Sequence, residues 1–365
     1  MATRVGLIVN PIAGMGGSVG LKGTDGEMVA RARELGATPV TPDRTACFLS
    51  HVDHREEITW LAAPNEMGAD YLTGAGVHHT IVGEATWDEK PTTADNTRRI
   101  AREMAAGADA DLIVFVGGDG TARDIYDAVG TEIPVVGVPA GVKVYSAAFA
   151  YSPKAAAGMV DAFCEGADVT EAEVLDIDEA AFRDDRLDAK LYGYLLVPNA
   201  ESLRQPGKEG THTTPGTQEN KKEIAAAIVE AMENETLYLL GPGTTVKAIT
   251  DELGIEKTLL GIDAVIGGAI VGRDLNERGI LTLLDQHDKC EIIVTPLGGN
   301  GFIFGRGNKP FTPKVIATVG CDGITVIATE RKMRELGVLR VDTGDPKVDE
   351  MLSGYIEVII CYDVA

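Results

Sequence analysis

In the first half of the chain the apolar residues come in short, nearly unbroken runs. The stretches 5–9, 59–63, 80–83, 112–116 and 133–138 stand out, several of them rich in Val and Ile. Runs of this length without polar alternation read as strands buried on both faces. Between them, 27–35, 67–73, 92–106, 122–129 and 153–164 read as helices, with Ile100 and Met104 four apart on one face. Alternating strands and helices predict an α/β domain with a doubly wound, mostly parallel sheet. This first domain is expected to span 1–168, ending with helix 153–164.

Past residue 171 the pattern changes. Short strand-like runs follow at 173–177, 190–197, 236–240, 290–295, 314–318 and 323–328, many joined by Gly, Pro or Asp turns. They predict a β-rich second domain over 169–345. Within it, 201–218 is a polar excursion with Pro and Gly, and 219–232 is helical. A helix and a strand at 355–361 fill 346–365, and the pattern does not say which sheet that strand joins.

The strand at 112–116 runs into Gly117-Gly118-Asp119-Gly120-Thr121, and a helix follows. A strand, a glycine turn and a helix start make a place for phosphate, because glycines allow close approach and the first N–H groups attract an anion. Asp119 breaks that logic. A carboxylate in the turn repels phosphate unless it holds a metal ion or accepts a proton from a hydroxyl; as an ordinary N-cap it would do neither. Asn10 closes the first strand, and a glycine-dense loop over 14–26 follows, carrying Lys22 and Asp25. Such loops lie at the carboxyl ends of strands, where α/β sheets bind ligands. Lys143 sits in the loop after the strand at 133–138, suited to neutralise phosphate as a point charge. Gly241-Pro242-Gly243-Thr244-Thr245 repeats the strand, glycine turn and helix start, with two hydroxyls. The glycine-rich stretch 296–308 adds Arg306, suited to bidentate contact with an anion, and Asn308. Phe302 and Phe304 alternate as a strand does and read as core. Asp263, near another glycine turn, reads equally as a site carboxylate or a buried structural one. Surface-loop roles are the alternative for Lys22, Lys143 and Arg306.

Charge narrows the partners. With 33 basic against 56 acidic residues the net charge is −23, which disfavours nucleic acid and anionic membrane while leaving a nucleotide ligand open. No apolar run approaches the ~20 residues that span a bilayer. The N-terminus enters a strand with no signal-peptide layout, so the cytoplasm is the expected compartment. The five cysteines are scattered without a C-x-x-C pair, and the six histidines show no ligand spacing.

Gly117-Gly118-Asp119-Gly120-Thr121 after a buried strand resembles the signature of the superfamily of NAD kinases, diacylglycerol and sphingosine kinases and, more distantly, phosphofructokinases. With 17–26, 139–146, 241–245, 260–264 and 298–308 in that order, the chain resembles the ATP-NAD/AcoX kinase family over most of its length. The resemblance implies an NAD kinase-like fold, an α/β N-terminal domain plus a β-rich C-terminal domain with the active site in the interdomain cleft. It implies ATP as phosphoryl donor, NAD as acceptor, Mg²⁺ or another divalent cation, and a homo-oligomer. Asp119 would be general base and Mg²⁺ partner. Gly117, Gly118, Gly120, Thr121 and Asn10 would contact phosphates or nucleotide, as would Gly241, Gly243, Thr244 and Thr245. Lys22, Lys143 and Arg306 would be charge partners for pyrophosphate, with Asp25 and Asn308 beside them. One feature departs from the pattern: the Asn-Glu pair that holds adenosine-ribose hydroxyls in ordinary NAD kinases has no clear counterpart after Asp119. Both the 2′ and the 3′ ribose hydroxyl therefore stay open as the point of attack. A lipid or sphingoid kinase, and a nucleotide-binding regulatory protein without turnover, are the rival readings.

Overall fold

A computed structural model describes residues 2–21, 28–84, 92–141, 144–177, 189–200, 202–204, 215–297 and 300–362. The chain divides into two compact units, one of Met1–Met15 and Gly23–Lys208, the other of Gly16–Lys22 and Glu209–Ala365.

The first unit runs β1 (Arg4–Val9), α1 (Met28–Glu34), α2 (Thr41–Ser50), β2 (Thr59–Ala62), α3 (Ala69–Gly74), β3 (His79–Ile81), α4 (Ala94–Arg102), β4 (Leu112–Gly117), α5 (Asp119–Val129), β5 (Val135–Pro139) and α6 (Pro153–Cys164). Five parallel strands form one sheet in the order β3-β2-β1-β4-β5. Leu7 pairs with Val114, and Phe115 with Gly137. All six residues of β4 are buried, as an unbroken apolar run requires when helices cover both faces. Gly137 is needed on β5 because a Cβ there would stand 2.6 Å from the Phe149 ring, which meets Phe115 edge-on. At α6 the sequence writes its own start: Ser152 accepts from the Ala155 N–H at 3.1 Å, and Pro153 opens the first turn.

Helix α2 has no counterpart in the hydrophobic pattern. Its buried face mixes Phe48 and Leu49 with Thr41, Arg44 and Thr45, so the apolar stripe is interrupted. The hydroxyls are satisfied locally, Thr41 donating to the Pro11 carbonyl and Thr45 to that of Thr41. A long antiparallel hairpin, β6 (Val169–Ile177) with β7 (Ala189–Pro198), then packs on this unit: Ala172, Val174, Leu195 and Val197 belong to its core. The sequence pattern starts a second domain at 169, whereas the hairpin buries its apolar face in the first.

The second unit contains α7 (Pro215–Ala231), β8 (Leu237–Leu240), α8 (Thr244–Glu252), β9 (Asp263–Ile266), β10 (Ala269–Gly272), α9 (Glu277–Leu284), β11 (Cys290–Val294), β12 (Phe302–Phe304), α10 (Pro313–Val319), β13 (Ile324–Ile327), α11 (Glu330–Leu336), β14 (Arg340–Val341), α12 (Pro346–Met351) and β15 (Val358–Ile359). Its six-stranded sheet has the order β10-β9-β8-β11-β13-β15. Strands β8, β11, β13 and β15 run parallel, and β9 and β10 form an antiparallel edge. The last strand thus has its place beside β13, with Val358 opposite Val326. Residues 314–318, expected as a strand, lie in α10. The β-branched run reads as strand by propensity, but Thr312 at the N-cap and Pro313 behind it start a helix that buries Val315 and Ile316 on one side. Phe302 and Phe304 are core residues of β12. Residues of the glycine-dense loop also belong here: the Glu277 N–H donates to the Ser18 carbonyl at 3.2 Å.

No helix among the described residues is long and apolar enough to cross a membrane.

Candidate active site

Strand order fixes where a ligand can approach the first unit. The chain winds outward from β1 through β2 to β3, then continues on the other side of β1 with β4 and β5. At such a reversal the connections leave the sheet in opposite directions and open a crevice at the carboxyl ends of the two central strands. Asn10 follows β1, and Gly118-Asp119-Gly120-Thr121 follows β4, so both lie at that crevice. The Asn10 side-chain amide donates to Thr121 Oγ1 at 3.0 Å, and the Asn10 N–H to the Val116 carbonyl at 3.0 Å.

The turn itself is shaped by two glycines with different reasons. A Cβ on Gly117 would stand 2.3 Å from Thr121 Oγ1, so the close return of Thr121 requires glycine there. At Gly120 a Cβ would meet only the tip of Arg123, at 3.7 Å. Packing gives no reason for glycine at 120; a ligand held close to the backbone of the first helical turn would. Gly118 is the N-cap of α5 and brings no side chain to the free N–H groups.

Asp119 opens α5 and is 9% exposed. The segment after β5 holds its carboxylate. Ser146 gives Oδ1 its backbone N–H at 2.8 Å and its hydroxyl at 2.6 Å, and the Tyr145 N–H reaches Oδ2 at 2.9 Å. The Ser146 hydroxyl in turn accepts the Leu175 N–H of β6 at 3.0 Å, which sets its hydrogen toward Asp119. Burial pushes the Asp119 carboxyl above the usual carboxylate range, against the pull of the Ser146 hydroxyl, the two backbone N–H groups and the nearby charge of Arg123. The Tyr145 phenol is also pushed up, by burial and by the Asp119 charge. A carboxylate offers about four acceptor positions. Three donors meet it, both from Ser146 on Oδ1 and the Tyr145 N–H shared between Oδ2 at 2.9 Å and Oδ1 at 3.1 Å, so among the described residues one acceptor position remains, on the Oδ2 side.

Ser146, Tyr145 and Arg123 are the members of this site that the glycine motif does not announce. Of the other candidates, Lys22, Asp25 and Lys143 lie outside the described residues. Gly241, Gly243, Thr244 and Thr245 belong to the second unit. There β8 passes through the glycine turn into α8, with Gly243 as N-cap. Arg306 and Asn308 are in that unit too, each with a partner inside it, while the buried Asn308 Oδ1 has none. The Arg306 guanidinium lies 3.4 Å from Asp342 and over the Phe302 ring at 4.7 Å, and the Asn308 amide donates to the Ile303 carbonyl at 2.7 Å. Asp263 is fully buried and accepts from the Thr258 N–H, the Thr258 hydroxyl and the Asp274 N–H, so its role is structural.

No group of three or more His, Cys, Asp or Glu that could hold a metal is present among the described residues. One open position on Asp119 fits a Mg²⁺ bound mainly through substrate phosphates, as this ion is commonly held, rather than a protein cage.

Two family models match the chain. One, described as the ATP-NAD kinase N-terminal domain, covers residues 5–168. The other, described as the ATP-NAD kinase C-terminal domain, covers residues 233–365. No curated protein and no solved structure matches it.

Proposed function

Since the chain belongs to the ATP-NAD kinase family, we propose that it transfers a phosphoryl group from ATP to a ribose hydroxyl of NAD, giving NADP or its 3′ isomer. The observation that carries this reading is Asp119, a buried carboxylate at the switch point of a parallel sheet with a single acceptor position left. Phosphoryl transfer asks the protein for positioning and charge neutralisation more than for covalent chemistry. The open position on Oδ2 accepts the proton of the attacking hydroxyl. Burial makes Asp119 a stronger base than a solvated carboxylate, which moves it toward the pH at which general bases work best. Backbone N–H groups at Gly118, Gly120 and Thr121 face the phosphates, with Asn10 fixing Thr121. Within the second unit, Gly241, Gly243, Thr244 and Thr245 are the nucleotide contacts of this reading. When bound, Mg²⁺ neutralises the phosphate charge. Among the described residues Asp119 would be the side chain to hold it, with the remaining oxygens supplied by the donor's phosphates.

The direct test is turnover of Mg²⁺-ATP and NAD by the purified protein, with the product read by mass and by NMR of the ribose. Addition of one phosphate is the expected result, and the coupling pattern assigns the 2′ or 3′ position. Absence of product across a panel of donors, with NADH also tried and at low and high salt, would remove NAD as acceptor.

Ser146→Ala gives a finer test. It removes a donor to the charged form of Asp119, so the Asp119 pKa rises further. Because the unprotonated carboxylate is the active form, the acidic limb of kcat/KM is expected to shift to higher pH. The variant also strands the buried Leu175 N–H, at a cost of about 1–3 kcal/mol. An acidic limb that stays in place would disconnect Asp119 from it.

A further inference from the structure

The carboxyl ends of three parallel strands of the second unit, β8, β11 and β13, lead into Gly243, Thr295 and helix α11 in turn. What gathers there is positive and short of partners. Lys221 on α7 is 5% exposed, and its ammonium donates to the hydroxyl of Thr244, the first residue of α8, at 2.8 Å. Lys332 on α11 donates to the Pro296 carbonyl. Neither lysine reaches a carboxylate at ion-pair distance among the described residues, in a chain where acids outnumber bases 56 to 33. Glu335, the acid whose charge acts on Lys332, is held by Arg331 at 2.7 Å.

Two further observations aim the cluster at a ligand. Gly243 caps α8 without a side chain, so the first-turn N–H groups of this nine-residue helix receive no side-chain cap among the described residues. Beside it stands Thr295, 3% exposed, its methyl 2.9 Å from where a Gly243 Cβ would be. The Thr295 hydroxyl oxygen is buried with no hydrogen-bond partner. Two lysines brought together in a poorly hydrated place oppose each other's charge. Burial lowers the Lys221 pKa, and burial followed by the Lys221 charge brings Lys332 down to about 8. An arrangement of this kind costs stability until an anion neutralises it.

We propose that the second unit binds an oligophosphate, two adjacent phosphates of a nucleotide, at the N-terminus of α8, with Lys221 and Lys332 as its charge partners. A single phosphate would serve one ammonium and the helix terminus; two ammonium groups and an unpaired hydroxyl suit a diphosphate. The proposal deepens the kinase reading and rests on it for the nucleotide's identity, since the diphosphate of NAD and the polyphosphate of ATP share this chemistry.

The test is calorimetric titration of the full chain with inorganic pyrophosphate and, for comparison, with sulfate. Lys221→Met and Lys332→Met keep the length of the stem and remove the charge, and Lys247→Met, on the same helix but bridged to Asp251, is the control. Pyrophosphate is expected to bind at least tenfold tighter than sulfate. Each of the two variants should lose at least tenfold while the control keeps its affinity. Both variants should also melt no lower than the wild type, because a desolvated charge has been removed, and this separates a binding role from a structural one. Equal binding of pyrophosphate and sulfate, or undiminished binding in both variants, would overturn the proposal. Competition with NAD and with ATP then tells which diphosphate occupies the site. Binding through both lysines without any phosphoryl transfer to NAD would sink the kinase reading alone. Full turnover with unchanged KM for both substrates in both variants would sink this proposal alone.

Discussion

Asp119→Asn is expected to reduce kcat for phosphoryl transfer by about a hundred- to ten-thousand-fold, the range that a positioned general base contributes. Asparagine is the informative choice because it keeps the shape of the side chain. Its carbonyl can still accept both Ser146 donors, which meet Oδ1 at 2.8 and 2.6 Å. Its amide then lies where Oδ2 stood, offering a donor to the acceptor hydroxyl that needs to lose a proton, while the Tyr145 N–H turns to the carbonyl oxygen at the Oδ1 position, which it already meets at 3.1 Å. Alanine would in addition release the segment after β5, which Asp119 fastens, and would confuse a lost base with a displaced loop. The loss should fall on kcat with KM for ATP little changed, since the carboxylate serves the attacking hydroxyl rather than ground-state binding. Circular dichroism and thermal melting check that the fold persists. Turnover within a few-fold of the wild type would remove Asp119 from the chemistry.

Gly14→Ala is expected to give a large loss of stability, about 2–5 kcal/mol. Gly14 has φ +74°, which costs an alanine roughly 1–2 kcal/mol. A Cβ there would stand 1.8 Å from the Ala140 carbonyl oxygen, a backbone atom that no rotamer change can move aside. Overpacking of this kind adds roughly 1–3 kcal/mol. The denaturation midpoint should therefore drop with an unchanged m-value. Activity should fall too, because the segment that must shift begins at Asn10, the partner of Thr121. A change below ~0.5 kcal/mol, ordinary for a surface substitution, would show that this loop gives way freely.

Much of this architecture can be read from the chain because its signals are local. Residues 112–116 are apolar without interruption, the glycines follow at once, and a helix begins at Asp119, so the turn and its carboxylate are visible in a dozen residues. The role of Ser146 is not local. It meets Asp119 only because β5 lies beside β4, a matter of strand order that no spacing along the chain reports. Lys221 likewise sits in a helix whose polar residues look solvated until α7 is packed against α8 and one lysine is turned toward Thr244. The partner of Arg306 is equally out of reach of local signals: its glycine-rich surroundings suggest an anion site, and the structure sets Asp342, far along the chain, beside it. At 314–318 two levels of signal conflict: β-branched propensity favours a strand, while Thr312 and Pro313 start a helix, and the cap prevails.

Residues 16–21 belong to the second unit, where the Ser18 carbonyl receives the Glu277 N–H. The chain is made from its N-terminus, so this loop emerges early and its partner helix α9 much later. At ordinary elongation rates the interval is on the order of tens of seconds. The first unit can fold around β1 and β4 during that time, while the loop between Met15 and Gly23 waits for a helix not yet synthesised. Neither unit can therefore be cut out as one continuous piece of chain: a fragment ending at Lys208 carries a loop without its partner, and one starting at Glu209 lacks it altogether.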